Sequence, residues 1–148
     1  MNKNKNLNGF TLTELLVVVA ILGILAAVGV VSYSGYVSSA QRKTAENLMQ
    51  QIALAQSEHL SDNGIYYSVT ESNCTATTDT LSDIYENLLG ATTAGRAKQK
   101  AEDSAFAICI SKDESGEEAT NTDYLITATN GTLVITMNSE GEINTGEE

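Results

Sequence analysis

One carboxylate in this chain stands where it must do something. Glu14 sits at the edge of the apolar run Leu15–Val31 (LLVVVAILGILAAVGVV), has no basic residue beside it, and is followed by no other charge until Arg42. A carboxylate in or near hydrocarbon costs several kcal/mol unless it is paired, which makes Glu14 a candidate for charge pairing. The plainer reading is a carboxylate that reaches the headgroups and complements the positive end of its own helix. Two cysteines, Cys74 and Cys109, lie beyond the apolar run. In an exported, oxidising setting their pairing is the simplest reading, against two buried free thiols in a cytosolic domain. Closing the 74–109 loop would stabilise the fold by about 3–4 kcal/mol on the chain-entropy account.

Other residues that could do chemistry are sparse. The single histidine, His59, falls four residues after Ala55 on the apolar stripe of a helix. With no Cys/His cluster near it, a packed histidine is the better reading than a base or a ligand. Asp113, Glu114, Glu117, Glu118 and Asp123 could hold Ca²⁺, but their spacing is not that of an EF-hand, and a solvated acidic loop accounts for them. Arg96, Lys98 and Lys100 are the basic cluster of the C-terminal half. Glu102 and Asp103 follow at once, and three charges give weak, salt-sensitive binding to a nucleic acid backbone, so a solvated loop or helix face is favoured over DNA contact. No phosphate-cradling glycine motif is present, which excludes an ATPase. No catalytic constellation, metal site or cofactor is expected.

The elements that must position these residues follow from periodicity. Leu15–Val31 spans about 26 Å as a helix. Adding Phe10–Thr13 and Ser32–Tyr36 gives the length that crosses a bilayer core of about 30 Å, where the backbone must satisfy itself as helix. Beyond it, Ala45, Leu48, Ile52 and Ala55 recur at three-and-four spacing, widened by Met49 and Ala53. Gln41, Lys43, Glu46, Asn47, Gln50 and Gln51 fill the other face. Gly64 stops the pattern, so a helix of about 52 residues and about 80 Å is expected from Phe10 to about Ser61. A helix that long in so small a chain fits a bilayer anchor joined to a domain spine. Lys3 and Lys5 precede the apolar run. An ordinary secretory signal is cut after its apolar region, whereas here the Gly9-Phe10 junction precedes it. An uncut signal anchor is the alternative.

Gly9-Phe10-Thr11-Leu12-Thr13-Glu14 followed by the apolar run resembles the N-terminus of the type IV pilin family, over about the first third of the chain. The resemblance implies a leader over residues 1–9, cleavage between Gly9 and Phe10 by a prepilin peptidase, N-methylation of Phe10, and assembly through Phe10 and Glu14. The new amine of one subunit would be offered to Glu14 of a neighbour. It implies an α+β type IV pilin fold: one long N-terminal helix, its transmembrane half at 10–36 and its amphipathic half at 37–62, packed against a small antiparallel β-sheet. The chain departs from the family in having no proline. Gly23, Gly29 and Gly35 are then the expected place for the helix to loosen on assembly, or for subunits to pack closely.

The remaining residues, 63–148, would be a globular head: a loop region at 63–104, a sheet at 105–137 and an acidic tail at 138–148. Tyr66 and Tyr67 are expected to pack the loop onto the helix. Thr80–Gly90 reads as a short helix capped by Thr80 or Ser82. Ala105–Ile110, Tyr124–Ala128 and Leu133–Met137 read as strands, the last two joined at Asn130-Gly131. Residues 139–143 are a candidate fourth strand before a frayed tail.

The chain has 148 residues and a net charge of −11, which becomes six basic against nineteen acidic side chains, or −13, without the two leader lysines. Such a surface as a whole repels nucleic acid. The expected role is a non-enzymatic subunit of a type IV pilus, for adhesion, twitching motility or DNA uptake. Its expected partners are further copies in a helical filament, other pilins and the pilus assembly machinery. Before assembly it would sit in the cytoplasmic membrane as a single pass with the N-terminus inside. The alternatives are a pseudopilin of a type II secretion system and a minor DNA-binding pilin using Arg96, Lys98 and Lys100.

Overall fold

The computed structural model describes residues 9–70, 74–91, 93–112 and 123–147. The chain divides into two compact units, Met1–Ala40 and Gln41–Glu148. Helix α1, Leu12–Asn63, begins in the first and ends in the second. It has the expected length of 52 residues, two positions later than expected.

In the second unit α1 supplies Ala45, Met49 and Ile52 to the core, all buried as the stripe predicts. Two positions of that helix depart from the expected pattern. Glu46, assigned to the solvated face, is 9% exposed, and Gln56 is fully buried. Both are polar groups held by specific partners, which is what makes their burial affordable.

Two helices occupy the stretch expected to be mostly loop. Helix α2, Thr78–Asn87, is capped by Thr77 and not by Thr80 or Ser82. Thr77 and Thr80 form a reciprocal capping box, with the Thr77 hydroxyl accepting from the Thr80 amide at 3.2 Å and the Thr80 hydroxyl from the Thr77 amide at 2.9 Å. The Thr80 hydroxyl also donates to the Ile108 carbonyl at 2.8 Å, tying α2 to the first strand. Gly90 then turns the chain with φ +67, a left-handed conformation that favours glycine. Helix α3, Ala94–Glu102, lies in the region expected as loop and takes the helix alternative for the basic stretch, burying just Ala97 and Ala101.

The sheet has four antiparallel strands in sequence order: β1 Ala107–Lys112, β2 Tyr124–Thr129, β3 Leu133–Asn138 and β4 Ile143–Glu147. Tyr124, Ile126 and Ala128 of β2 and Ile135 and Met137 of β3 are buried, as period-2 alternation requires. The β2–β3 hairpin turns at Gly131 (φ +84), and the Asn130 side-chain oxygen accepts from the amides of Thr132 and Leu133 at 3.1 and 3.0 Å. The tail expected to fray is instead strand β4, paired to β3 from Ile143 opposite Met137 to Glu147 opposite Leu133. On the far edge, the Val69 amide donates to the Ile110 carbonyl at 2.9 Å and Thr70 bridges Ser111, so the segment after α1 covers β1. The architecture is α+β, a long helix with a small antiparallel sheet.

Candidate functional site

The apolar half of α1 is not buried among the described residues. Leu15, Leu16, Val17, Ile21, Leu22, Ile24, Leu25, Val28 and Val30 are all more than half exposed, and the helix is long and apolar enough to cross a membrane. Unlike a core helix, it meets no partner surface in its own unit. A Cβ built on Gly23, Gly29 or Gly35 would meet nothing within 4 Å, so no packing among the described residues requires glycine there. The Ser32 hydroxyl bonds back to the Val28 carbonyl at 3.3 Å, which satisfies it without solvent.

At the head of this helix the Thr11 carbonyl accepts from the Leu15 amide at 3.3 Å, which makes Thr11 the capping residue. Its hydroxyl accepts from the Glu14 amide at 3.3 Å. One Glu14 carboxylate oxygen accepts from the Thr11 amide at 2.9 Å and from the Thr11 hydroxyl at 2.7 Å. Thr11-Leu12-Thr13-Glu14 is thus a capping box. Thr-x-x-Glu ahead of an apolar run is the sequence signature of that motif. Phe10 is 85% exposed, and Phe10, Thr13, Glu14, Val17 and Val18 line a shallow apolar depression. Gly9 and Phe10 lie just ahead of the helix and are exposed.

The first charges after the apolar run are held together. Glu46 takes Arg42 Nε at 2.9 Å on one oxygen and Lys43 Nζ at 2.6 Å on the other. The bond from Lys43 holds the Glu46 carboxyl below the ordinary carboxylate range; burial opposes this and Arg42 assists it. Arg42 also donates to the Thr145 hydroxyl at 2.9 Å, joining β4 to the helix within the second unit.

The remaining candidates are structural or solvated. Cys74 and Cys109 are disulfide-bonded with Cα atoms 5.9 Å apart, Cys109 fully buried in β1. His59 donates from Nδ1 to the Ile65 carbonyl at 2.9 Å and meets Tyr67 edge-on at 5.8 Å. Tyr66 packs edge-on against Tyr124 at 4.8 Å. Burial pushes the Tyr67, Tyr85 and Tyr124 hydroxyls up from the usual phenol range. Gln56, which sequence reasoning passed over, donates to the Tyr67 carbonyl at 2.7 Å and accepts from its amide at 2.8 Å. Arg96 and Lys98 are exposed on α3, and Lys100 lies over the Tyr85 ring at 5.3 Å. Of the acidic set, Asp113, Glu114, Glu117 and Glu118 lie outside the described residues, while Asp123 accepts from the Ser139 hydroxyl at 3.1 Å. Among the described residues no group of His, Cys, Asp and Glu is placed to hold a metal.

Comparison with known proteins points to the same N-terminal segment. Residues 4–30 match the family described as the prokaryotic N-terminal methylation motif. The chain is 47% identical over 58 residues to the fimbrial protein EcpC of Eikenella corrodens, covering 39% of this chain and 38% of that one. It is 41% identical over 54 residues to the type IV major fimbrial protein FimA of Dichelobacter nodosus, covering 36% and 34%. With the type IV major pilin protein PilE of Neisseria gonorrhoeae the identity is 43% over 58 residues, covering 39% and 35%. The chain therefore spans little more than a third of the length of the curated relatives it matches. No solved structure matches it.

Proposed function

We propose that this chain, a type IV pilin by its N-terminal segment, is a structural subunit that polymerises through the apolar half of α1 into a surface pilus. The single observation that carries this is the pairing of a capped, charge-free apolar helix, exposed along its length, with the Gly9-Phe10-Thr-Leu-x-Glu14 junction at its head. At about 25 cal/mol per Å² of apolar surface removed from water, such a helix cannot remain in solvent. It has two places to go, the bilayer and a bundle of like helices.

Cleavage between Gly9 and Phe10 hydrolyses one peptide bond and leaves an α-amino group on Phe10, charged at neutral pH with an ordinary pKa near 8. Methylation of that nitrogen keeps its ability to carry a proton. In the membrane Glu14 is satisfied by the amide and hydroxyl of Thr11. In the filament its free oxygen takes the Phe10 ammonium of a neighbour, and two charges that are costly separately in hydrocarbon become one neutral pair. Register between subunits is then set by one charge pair at the head of an otherwise uniform apolar surface. The leader lysines hold the N-terminus in the cytoplasm and the head is exported across the cytoplasmic membrane, where Cys74 and Cys109 oxidise.

The test is mass spectrometry of the N-terminal peptide from protein sheared off the cell surface. A peptide beginning at Phe10, heavier by one methyl group and abundant in the sheared fraction, is the expected result. A chain that begins at Phe10 but stays in the membrane fraction would indicate a short periplasmic filament of the type II secretion kind. One that still begins at Met1 in cells with an active prepilin peptidase would end the filament reading.

A further inference from the structure

Charge is distributed unevenly over the head. Of the six basic residues beyond the leader, Arg42 and Lys43 are both engaged by Glu46. Arg96, Lys98 and Lys100 fall within five residues on α3, all exposed, and none has an acidic partner among the described residues. Lys100 rests on the Tyr85 ring instead. Next to them, α2 carries Asp79, Asp83 and Glu86 at i, i+4 and i+7, which places all three on one helix face. That face is opposite the buried Leu81 and Ile84, all three carboxylates are exposed, and none has a basic partner among the described residues. The two helices pack on each other, yet α2 turns its acids outward while its Tyr85 takes Lys100. Within one chain the two sets do not meet.

We propose that the acidic stripe of α2 (Asp79, Asp83, Glu86) docks on the basic residues of α3 (Arg96, Lys98, Lys100) of a neighbouring copy of this chain. The proposal deepens the pilus reading and rests on it for the presence of neighbours. The occupant follows from charge complementarity. A head that is strongly acidic overall repels its own copies unless local patches of opposite sign face each other. Used head to tail, with the acids of each copy on the bases of the next, the contact is heterologous, and a heterologous contact that does not close on itself propagates a filament. A DNA strand is the poorer fit, since the acidic stripe lies on the helix beside the three cations and Glu102 and Asp103 end α3.

The test is charge reversal in the full chain, in cells, with the sheared fraction as readout. R96E/K98E/K100E and D79K/D83K/E86K should each lose sheared filaments while the subunit persists in the membrane, protease-resistant and disulfide-bonded. Combining all six reversals should restore filaments, which a merely structural role for either set would not do. Zero-length carbodiimide cross-linking of wild-type filaments should give a covalent dimer in which Lys98 or Lys100 is joined to Asp79, Asp83 or Glu86. Filaments unchanged by either triple reversal, no rescue by the combination, or a dimer linked elsewhere would overturn the contact. So would loss of DNA retention with filaments intact, which would assign α3 to nucleic acid. If the wild type yields no sheared filaments, the pilus reading falls by itself. The same cross-links in a dimer from membranes would keep the contact, and their absence would end it too.

Discussion

Gln56 shows how much one side chain can decide. Fully buried in α1, it closes two hydrogen bonds on the backbone of Tyr67 and so pins the segment that leaves the helix and runs along β1. Replacing it by leucine leaves the Tyr67 amide and carbonyl without partners, at about 1–3 kcal/mol. For a head of this size that predicts a melting temperature lower by about 5–20 °C in the detergent-solubilised full chain. Circular dichroism in the near ultraviolet would follow it through the tyrosines, and an unshifted transition would refute the clamp. Glu46 sets a pH dependence. Its folded pKa is lowered from 4.5 by Lys43 first and Arg42 after, so its contribution to stability is present above about pH 4.5 and lost as pH falls through the folded value. Urea midpoints measured from pH 6 down to 3 should fall more steeply for the wild type than for Glu46→Gln. Parallel curves would show that the cluster contributes nothing. Neither residue could be recognised in the sequence, because a lone Gln or Glu on a helix reads as solvated unless its distant partners are known.

Capping adds to apolar burial in holding the elements of the head. Helix α2 buries Leu81 and Ile84, and its N-terminus is fixed by the Thr77–Thr80 box, whose Thr80 hydroxyl also reaches β1. Thr77→Ala should cost about 1 kcal/mol. Thr80→Ala should cost more, since it removes both the bond to the Thr77 amide and the bond to the Ile108 carbonyl. Chemical denaturation of the pair of variants checks the order, and a costlier Thr77→Ala would overturn it. The helix was foreseen, but its cap was placed at Thr80 or Ser82 because each is a good capping residue beside an apolar one. Only the reciprocal bonds identify Thr77. Helix α3 is left open between loop and helix by the sequence because two buried alanines carry too little periodic signal. Strand β4 carries little sequence signal because Asn144 and Thr145 are polar and residues 143–146 are exposed, and it pairs through backbone that sequence pattern does not display.

At the scale of the whole molecule, the Cys74–Cys109 bond encloses α2 and α3 entirely, so it limits the freedom of the unfolded head over that stretch. Reduction is expected to lower stability by about 3–4 kcal/mol on the chain-entropy account. Urea unfolding with and without reductant measures it; identical midpoints would show that tertiary packing alone holds the helical pair. Sequence by itself determined a stretch long and apolar enough to cross a membrane, the 52-residue helix and the strand pairing at Asn130-Gly131, because those features are written in local order: apolar length, fixed spacing, and turn residues between alternating runs. Tertiary structure alone decided that Glu46 and Gln56 are buried, that the tail is a fourth strand tied to Arg42, and that the acids of α2 and the bases of α3 form no ion pair with each other. Each of these depends on partners far apart in the chain, and a contact across such a distance leaves no mark on the spacing of neighbouring residues.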